Sequence, residues 1–275
     1  MPETDIFQLD AYLARVGLAE RPAPTLEGLR DLVRAQHRSI AFENLDPLVG
    51  APVLLDPESL WRKMVVARRG GYCFELNYLL GLAMERLGLS YRPMLARVMM
   101  GAPVGGPKSH LLFLVQIDGL EFLADVGFGG PGLLEPMRFE ADAVAEQDGA
   151  KLRLVEPEPS EYILQRATPD GWFNVFAFNR EKVLPVDVQV ANYFTSNMSQ
   201  SPFRNRLMCA LQTPEGLLSF RDNNLVTLAP NLVPLSSLPL GSAADLERTL
   251  TEDFRLNISA ELVHKVWERV ATTGQ

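Results

Sequence analysis

Side chains that ligate metals or form cross-links are scarce in this chain. Its 275 residues carry two cysteines, Cys73 and Cys209, and three histidines, His37, His110 and His264. So few cannot supply a Cys/His zinc site at the usual spacings, and no metal is expected. Two unmatched cysteines make no disulfide framework and suit a reducing cytoplasm. No apolar run is long enough to span a bilayer, and the opening Met-Pro-Glu-Thr-Asp lacks the basic-then-apolar order of a secretory signal, so neither membrane nor export is expected. Positive charge is also in deficit. A net charge of −8 disfavours nonspecific nucleic-acid binding, and any polyanionic ligand needs local cations or backbone N–H groups against that field. What is present is 47% hydrophobic and 22% charged residues, an ordinary globular composition with ample material for a core.

Hydrophobic spacing divides the chain into three regions. Residues 1–88 read as helical, with helices expected at 10–17, 26–40, 57–67 and from Cys73 onward, and a loop through Phe42-Glu43-Asn44-Leu45-Asp46-Pro47. Residues 89–186 read as strands, at 91–98, 110–117, 120–126, 151–155, 162–166 and 172–178, separated by Gly, Pro and Asp punctuation. Residues 187–275 mix a helix at 187–196, a meander through 207–212, 217–221 and 225–228, and closing helices at 243–254 and 259–270. The class is α+β. A homo-oligomer is compatible with this chain.

Cys73 follows Arg68-Arg69-Gly70-Gly71-Tyr72 and opens an apolar-periodic stretch. The residues Leu76, Leu79, Leu80, Ala83, Met84 and Leu87 fall in steps of three and one, which is a helix burying one face, and Gly88 stops it. Cys73 therefore belongs to the first turn, where unpaired N–H groups and the positive dipole end favour thiolate over thiol. Glu75 is expected to cap the helix start or to pair with Arg68 or Arg69 rather than to act as an acid.

A thiol nucleophile needs a base, and the base an orienting group. His37 and His264 lie in helical stretches and read as surface or half-buried residues. His110 instead begins an apolar strand that Asp118-Gly119 joins to a second one, a strong two-residue hairpin signal. With those two residues as the loop, Ile117 opposes Leu120 and Asp125 falls opposite Leu112. His110 shares a face with Leu112, which places Asp125 diagonally beside His110. Leu111, Phe113, Val115, Phe122 and Val126 occupy one face of this hairpin, and Leu112, Leu114 and Leu123 the other. A carboxylate there is costly unless paired. Cys73, His110 and Asp125 thus form a candidate triad, a set shared by thiol proteases, transglutaminases and thiol acyltransferases.

Beyond the triad, the chain resembles the arylamine N-acetyltransferases over nearly its whole length. The matching segments are Tyr12-Leu-Ala-Arg-Val-Gly-Leu18, His37-Arg-Ser-Ile-Ala-Phe-Glu-Asn-Leu-Asp46, Arg69-Gly-Gly-Tyr-Cys-Phe-Glu-Leu-Asn77, Ser109-His-Leu-Leu112, Asp125-Val-Gly-Phe-Gly129 and Ser201-Pro-Phe203. The resemblance implies a helical domain at 1–88 carrying the nucleophile, a β-barrel domain at 89–186 carrying His and Asp, and an α/β lid at 187–275. It implies acetyl-CoA as donor, an arylamine or hydrazine as acceptor, and a place in xenobiotic metabolism. The family triad falls on Cys73, His110 and Asp125, and its aromatic acceptor pocket on Phe42, Phe128 and Phe203. For the phosphates of CoA, Gly105, Gly106 and Lys108 in one loop and Gly129 in another are the candidates. Two positions depart from the family pattern: Ala41 stands where a proline is common, which loosens the loop presenting Phe42, and Asn192-Tyr-Phe replaces an Asn-Trp-aromatic run. The alternatives are an amide synthase of the same fold using another acyl donor and a papain-type thiol hydrolase.

Overall fold

The structure is a computed structural model that describes residues 6–221 and 223–273. Five helices come first: α1 Leu9–Val16, α2 Leu26–Ser39, α3 Leu45–Val49, α4 Pro57–Leu60 and α5 Cys73–Arg86, with a two-residue strand, β1 Phe42–Glu43, between α2 and α3. Thr25 caps α2 by accepting from Gly28 N, and Asp56 caps α4 by accepting from Ser59 N. The single helix expected over 57–67 is two pieces. After α4 the chain widens into a π-helical turn, Trp61–Val66, closed by Ala67 N donating to Arg62 O at 2.9 Å. A second π turn, Thr249–Asp253, likewise breaks the helix expected over 243–254.

Eight antiparallel strands follow: β2 Ser90–Val98, β3 Lys108–Ile117, β4 Leu120–Ala124, β5 Met137–Arg138, β6 Val144–Gln147, β7 Ala150–Glu158, β8 Glu161–Thr168 and β9 Gly171–Asn179. Their order, β5-β4-β3-β2-β9-β8-β7-β6, makes a nearly closed barrel-like sheet. The rest comprises α6 Pro185–Asn197, α7 Pro202–Asn205, β10 Cys209–Thr213, β11 Gly216–Arg221, β12 Asn224–Leu228, β13 Pro234–Pro239, α8 Ala243–Arg248 and α9 Ala260–Thr273. Strands β10 to β13 form a second antiparallel sheet whose edge is β1, through Phe42 opposite Ala210 and Glu43 opposite Cys209. Strand β1 thus ties the helical segment to the C-terminal one. Among the described residues, no helix is long and apolar enough to cross a membrane.

The β3–β4 hairpin has the expected register, Ile117 opposite Leu120 and Leu114 opposite Leu123. Asp118 and Gly119 both have positive φ, 51° and 75°, as this two-residue turn requires. Its two faces feed different cores. Leu111, Phe113, Val115, Phe122 and Val126 pack with α5, α2 and α1, while Leu112, Leu114 and Leu123 fill the barrel interior with Leu152, Leu164 and Phe176.

Candidate active site

Cys73 is the first residue of α5, and the backbone before it is fixed from two sides. Tyr72 N donates to Glu75 Oε2 at 3.1 Å, so Glu75 caps the helix start as expected. Its charge partner is Lys63 at 2.7 Å rather than Arg68 or Arg69, because the π turn carries Lys63 under the helix. Arg69 instead pairs with Glu43 at 2.7 Å and Asp46 at 3.0 Å. On the other side, the Tyr72 hydroxyl hydrogen-bonds Asn192 Oδ1 of α6, and Asn192 Nδ2 donates to Val53 O at 3.1 Å. The altered Asn192-Tyr-Phe run therefore keeps a contact to the residue beside the nucleophile. Phe42 is also held, although Ala41 precedes it: Glu43 N donates to Gly71 O at 2.9 Å, and Gly71 N to Ala41 O at 3.3 Å. These two bonds tie the loop to the Gly-Gly lead of α5.

His110 is 1% exposed, and its Nε2 lies 2.7 Å from Asp125 Oδ2. Strand β4 ends at Ala124, one residue short of Asp125, yet the register still delivers the carboxylate to the imidazole. The His110 ring is clamped edge-on by Phe128 at 5.1 Å and tilted against Phe176 at 5.3 Å. With Nε2 on the carboxylate, Nδ1 is the ring nitrogen left for proton exchange. Cys73 Sγ lies 3.5 Å from Ser109 O, immediately before His110.

Asp125 is more extensively held than the sequence indicated. Its Oδ1 accepts from Asn77 Nδ2 at 3.0 Å and from Gly127 N at 2.8 Å, and its carbonyl accepts from His37 Nε2 at 2.9 Å. Asn77 also donates to Leu111 O at 2.6 Å and accepts from Val126 N at 3.0 Å. One side chain thus joins α5, β3 and the turn after β4. The sequence signal for it was a polar residue one turn after Cys73 in an otherwise apolar helix. His37 is half-buried, as expected, but it braces the Asp125 backbone, a role its helical context did not suggest. His264 is on the surface beside Glu268. Gly127 is obligatory at the crossing, since a Cβ there would lie 2.7 Å from Cys73 O and 2.5 Å from Asn77 Nδ2.

Burial raises the Asp125 carboxyl, but the charge of His110 and the hydrogen bonds from His110, Asn77 and Gly127 outweigh it and hold the group below the usual carboxylate range. Cys73 goes the other way. Burial, reinforced by the Asp125 charge, pushes its thiol well up, against backbone hydrogen bonds from Leu111 and Phe74 that favour thiolate. Burial and the backbone N–H groups around the thiol therefore act on it in opposite directions.

Cys73 and His110 open onto a cavity of about 980 Å³. Phe42, Phe128 and Phe203 line it, joined by Phe194 of α6 and by Met198 immediately after that helix, neither of which the sequence pointed to. Phe203 packs against Phe42 at 6.2 Å and Tyr72 at 5.5 Å. Of the candidate phosphate contacts, Gly106 and Gly129 line the cavity, whereas Gly105 and Lys108 do not. Lys108 Nζ is bound to Glu181 and lies 3.5 Å from Asn179 Oδ1. Among the described residues no cluster of potential metal ligands occurs.

The family model described as N-acetyltransferase matches residues 25–263. An arylamine N-acetyltransferase of Mycobacterium bovis is 35% identical over 258 residues, spanning 91% of this chain and 90% of that one. The chain belongs to the arylamine N-acetyltransferase family. It is an acyltransferase. The arylamine N-acetyltransferase / N-hydroxyarylamine O-acetyltransferase of Salmonella typhimurium is 36% identical over 209 residues, 76% of this chain and 74% of its own. Among solved structures, the Mycobacterium marinum arylamine N-acetyltransferase in complex with CoA superposes with a TM-score of 0.89 at 32% identity, over 97% of this chain and 99% of that one.

Proposed function

We propose that the chain acetylates aromatic amines or hydrazines by ping-pong transfer from acetyl-CoA, with Cys73, His110 and Asp125 as the catalytic residues. The observation that carries this reading is that Cys73 and the Asp125-bound His110 line one cavity together with Phe42, Phe128 and Phe203. Cys73 Sγ gives its proton to His110 Nδ1 as it attacks the thioester carbonyl. Backbone N–H groups at the start of α5 receive the oxyanion. CoA leaves as the thiol, taking that proton from His110, and the acetyl group stays on Cys73 as a thioester. The acceptor amine then attacks the acetyl-enzyme, His110 accepts its proton, and the collapsing intermediate returns Cys73 as a thiol. Asp125 holds the imidazole in the tautomer that presents a free Nδ1 and stabilises its cation. Flat rings suit the phenylalanine walls, which pack on faces and edges with little orientational demand.

In this reading the helical segment supplies the nucleophile, the barrel-like sheet the base and its orienter, and the C-terminal segment a cavity wall. The two free cysteines support a reducing cytoplasm as the setting. Incubation with acetyl-CoA followed by intact and peptide mass spectrometry tests the proposal. One acetyl group is expected on Cys73, absent in Cys73→Ala, discharged rapidly by an added arylamine and slowly by water. No acetylation of the native protein at any pH between 6 and 9 (roughly one unit beyond neutral on the acid side and two on the basic side) defeats it.

A further inference from the structure

We infer that Arg206 receives a phosphate of the acyl donor. The inference rests on the proposed acetyl-CoA chemistry and names the part of the cavity that reads the donor's charge. A donor of this class is a polyanion, whereas the chain carries a net −8. Its binding therefore depends on cations placed locally. Lys108, the cation the sequence offered, is neutralised by Glu181 and does not line the cavity.

The cavity wall has a different source of positive charge. Two guanidiniums line it, Arg206 and Arg269, and among the described residues the lining contains no Asp, Glu or Lys. Arg206 thus stands on a wall that, among the described residues, carries no carboxylate. Arg206 is exposed and, among the described residues, its side chain makes no ion pair or hydrogen bond, which leaves the fork of N–H donors free for a phosphate. Its main chain is anchored all the same. Asn44 Nδ2 donates to the Arg206 carbonyl at 2.7 Å and to the Phe203 carbonyl at 2.8 Å. The segment that presents the phenylalanine of the reacting end therefore also presents a cation, three residues further along and held by the same amide. A ligand with an uncharged acyl-bearing arm and a phosphorylated end matches that arrangement. Arg269, on α9, lines the same wall.

Replacing Arg206 by Gln, and separately by Lys, tests the assignment with two acyl donors. Acetyl-CoA carries phosphates; p-nitrophenyl acetate carries none and acylates the same thiol. For Arg206→Gln the KM for acetyl-CoA is expected to rise about tenfold, the scale of one charge-assisted hydrogen bond. Acylation by p-nitrophenyl acetate should be unchanged, and Arg206→Lys should recover most of the loss. Running 3′-dephospho-acetyl-CoA in parallel identifies the phosphate: a vanishing penalty assigns the 3′-phosphate, a persisting one the diphosphate. An unchanged KM for acetyl-CoA, or an equal loss with both donors, overturns the inference. Failure of the native protein to acylate Cys73 with acetyl-CoA would defeat the functional proposal instead, so the two failures are separable.

Discussion

Replacing Asp125 by Asn changes one atom and should disable the base without dismantling the site. The carboxylate receives three hydrogen bonds, from Asn77 Nδ2 at 3.0 Å and Gly127 N at 2.8 Å on Oδ1, and from His110 Nε2 at 2.7 Å on Oδ2. An asparagine whose carbonyl oxygen keeps the first two presents an NH₂ group to His110. Nε2 must then accept, so the imidazole proton moves to Nδ1, the atom that has to take the thiol proton. The same tautomer error in Ser-His-Asp enzymes costs about 10⁴-fold in kcat, and a loss of that order is expected in single-turnover acetylation of Cys73 followed by quenched-flow mass spectrometry. The stability cost should be small, about 1 kcal/mol, because a charge-assisted hydrogen bond is exchanged for a neutral one. Its pH dependence has a defined sign. The folded-state pKa of Asp125 lies below the ordinary value of 3.8, so the stability it contributes is present above 3.8 and is lost as pH falls through the lower folded value. Urea melts should therefore show the contribution of this carboxylate to the gap between native and variant protein closing as pH falls below 3.8. Wild-type acetylation by the variant would refute the tautomer argument outright. A rate loss matched by gross unfolding would refute its claim to act through the base alone.

Two further substitutions examine the supports of the site. Asn77→Ala leaves Leu111 O and Val126 N without a partner in the core, and should cost about 2–4 kcal/mol in a denaturant melt while slowing acetylation more than it raises the donor KM. Lys63→Met should be far worse than Glu75→Gln. Among the described residues, the buried Glu43 and Glu75 and the half-buried Asp46 form ion pairs with Lys63 and Arg69, so removing Lys63 strands carboxylates at about 3–5 kcal/mol. Glu75→Gln instead relieves a carboxyl that burial already pushes up, keeps an acceptor for Tyr72 N, and should cost under about 1 kcal/mol in the same melt.

The parts of the site legible in the sequence are those set by local geometry. Asp118-Gly119 taken as a two-residue loop sets the hairpin register, and that register delivers Asp125 to His110. The Gly-Gly lead and the three-and-one spacing after Cys73 likewise place the thiol at a helix start. Features depending on distant segments were not legible. Strand β1 is two residues long and exists because β10, more than 160 residues later, offers it an edge. Strand β13 runs from Pro234 to Pro239 with every residue exposed, so neither alternation nor burial marks it. Lys63 reaches Glu75 only because a π turn rotates the chain by one residue, a distortion no periodicity announces. His37 shows the same limit, since its partner is a main-chain carbonyl 88 residues away.

The reactivity of Cys73 is where local and global forces disagree, and magnitudes decide between them. A helix N-terminus favours an anion by roughly 0.3–2 kcal/mol. Removing a thiolate from water costs more, of the order of several pKa units for a fully buried group, and Cys73 is 3% exposed. The Asp125 carboxylate nearby adds repulsion of the same sign. In the proposed mechanism the labour is divided: the helix start serves the oxyanion, which forms only during reaction, while His110 carries the thiol proton. Since the thiol and the imidazole exchange one proton, the pH profile of acetylation reports the pair rather than either residue. The rings of Phe128 and Phe176 pack against His110, and in the proposed mechanism that apolar shell favours attack on the thioester by an amine over water.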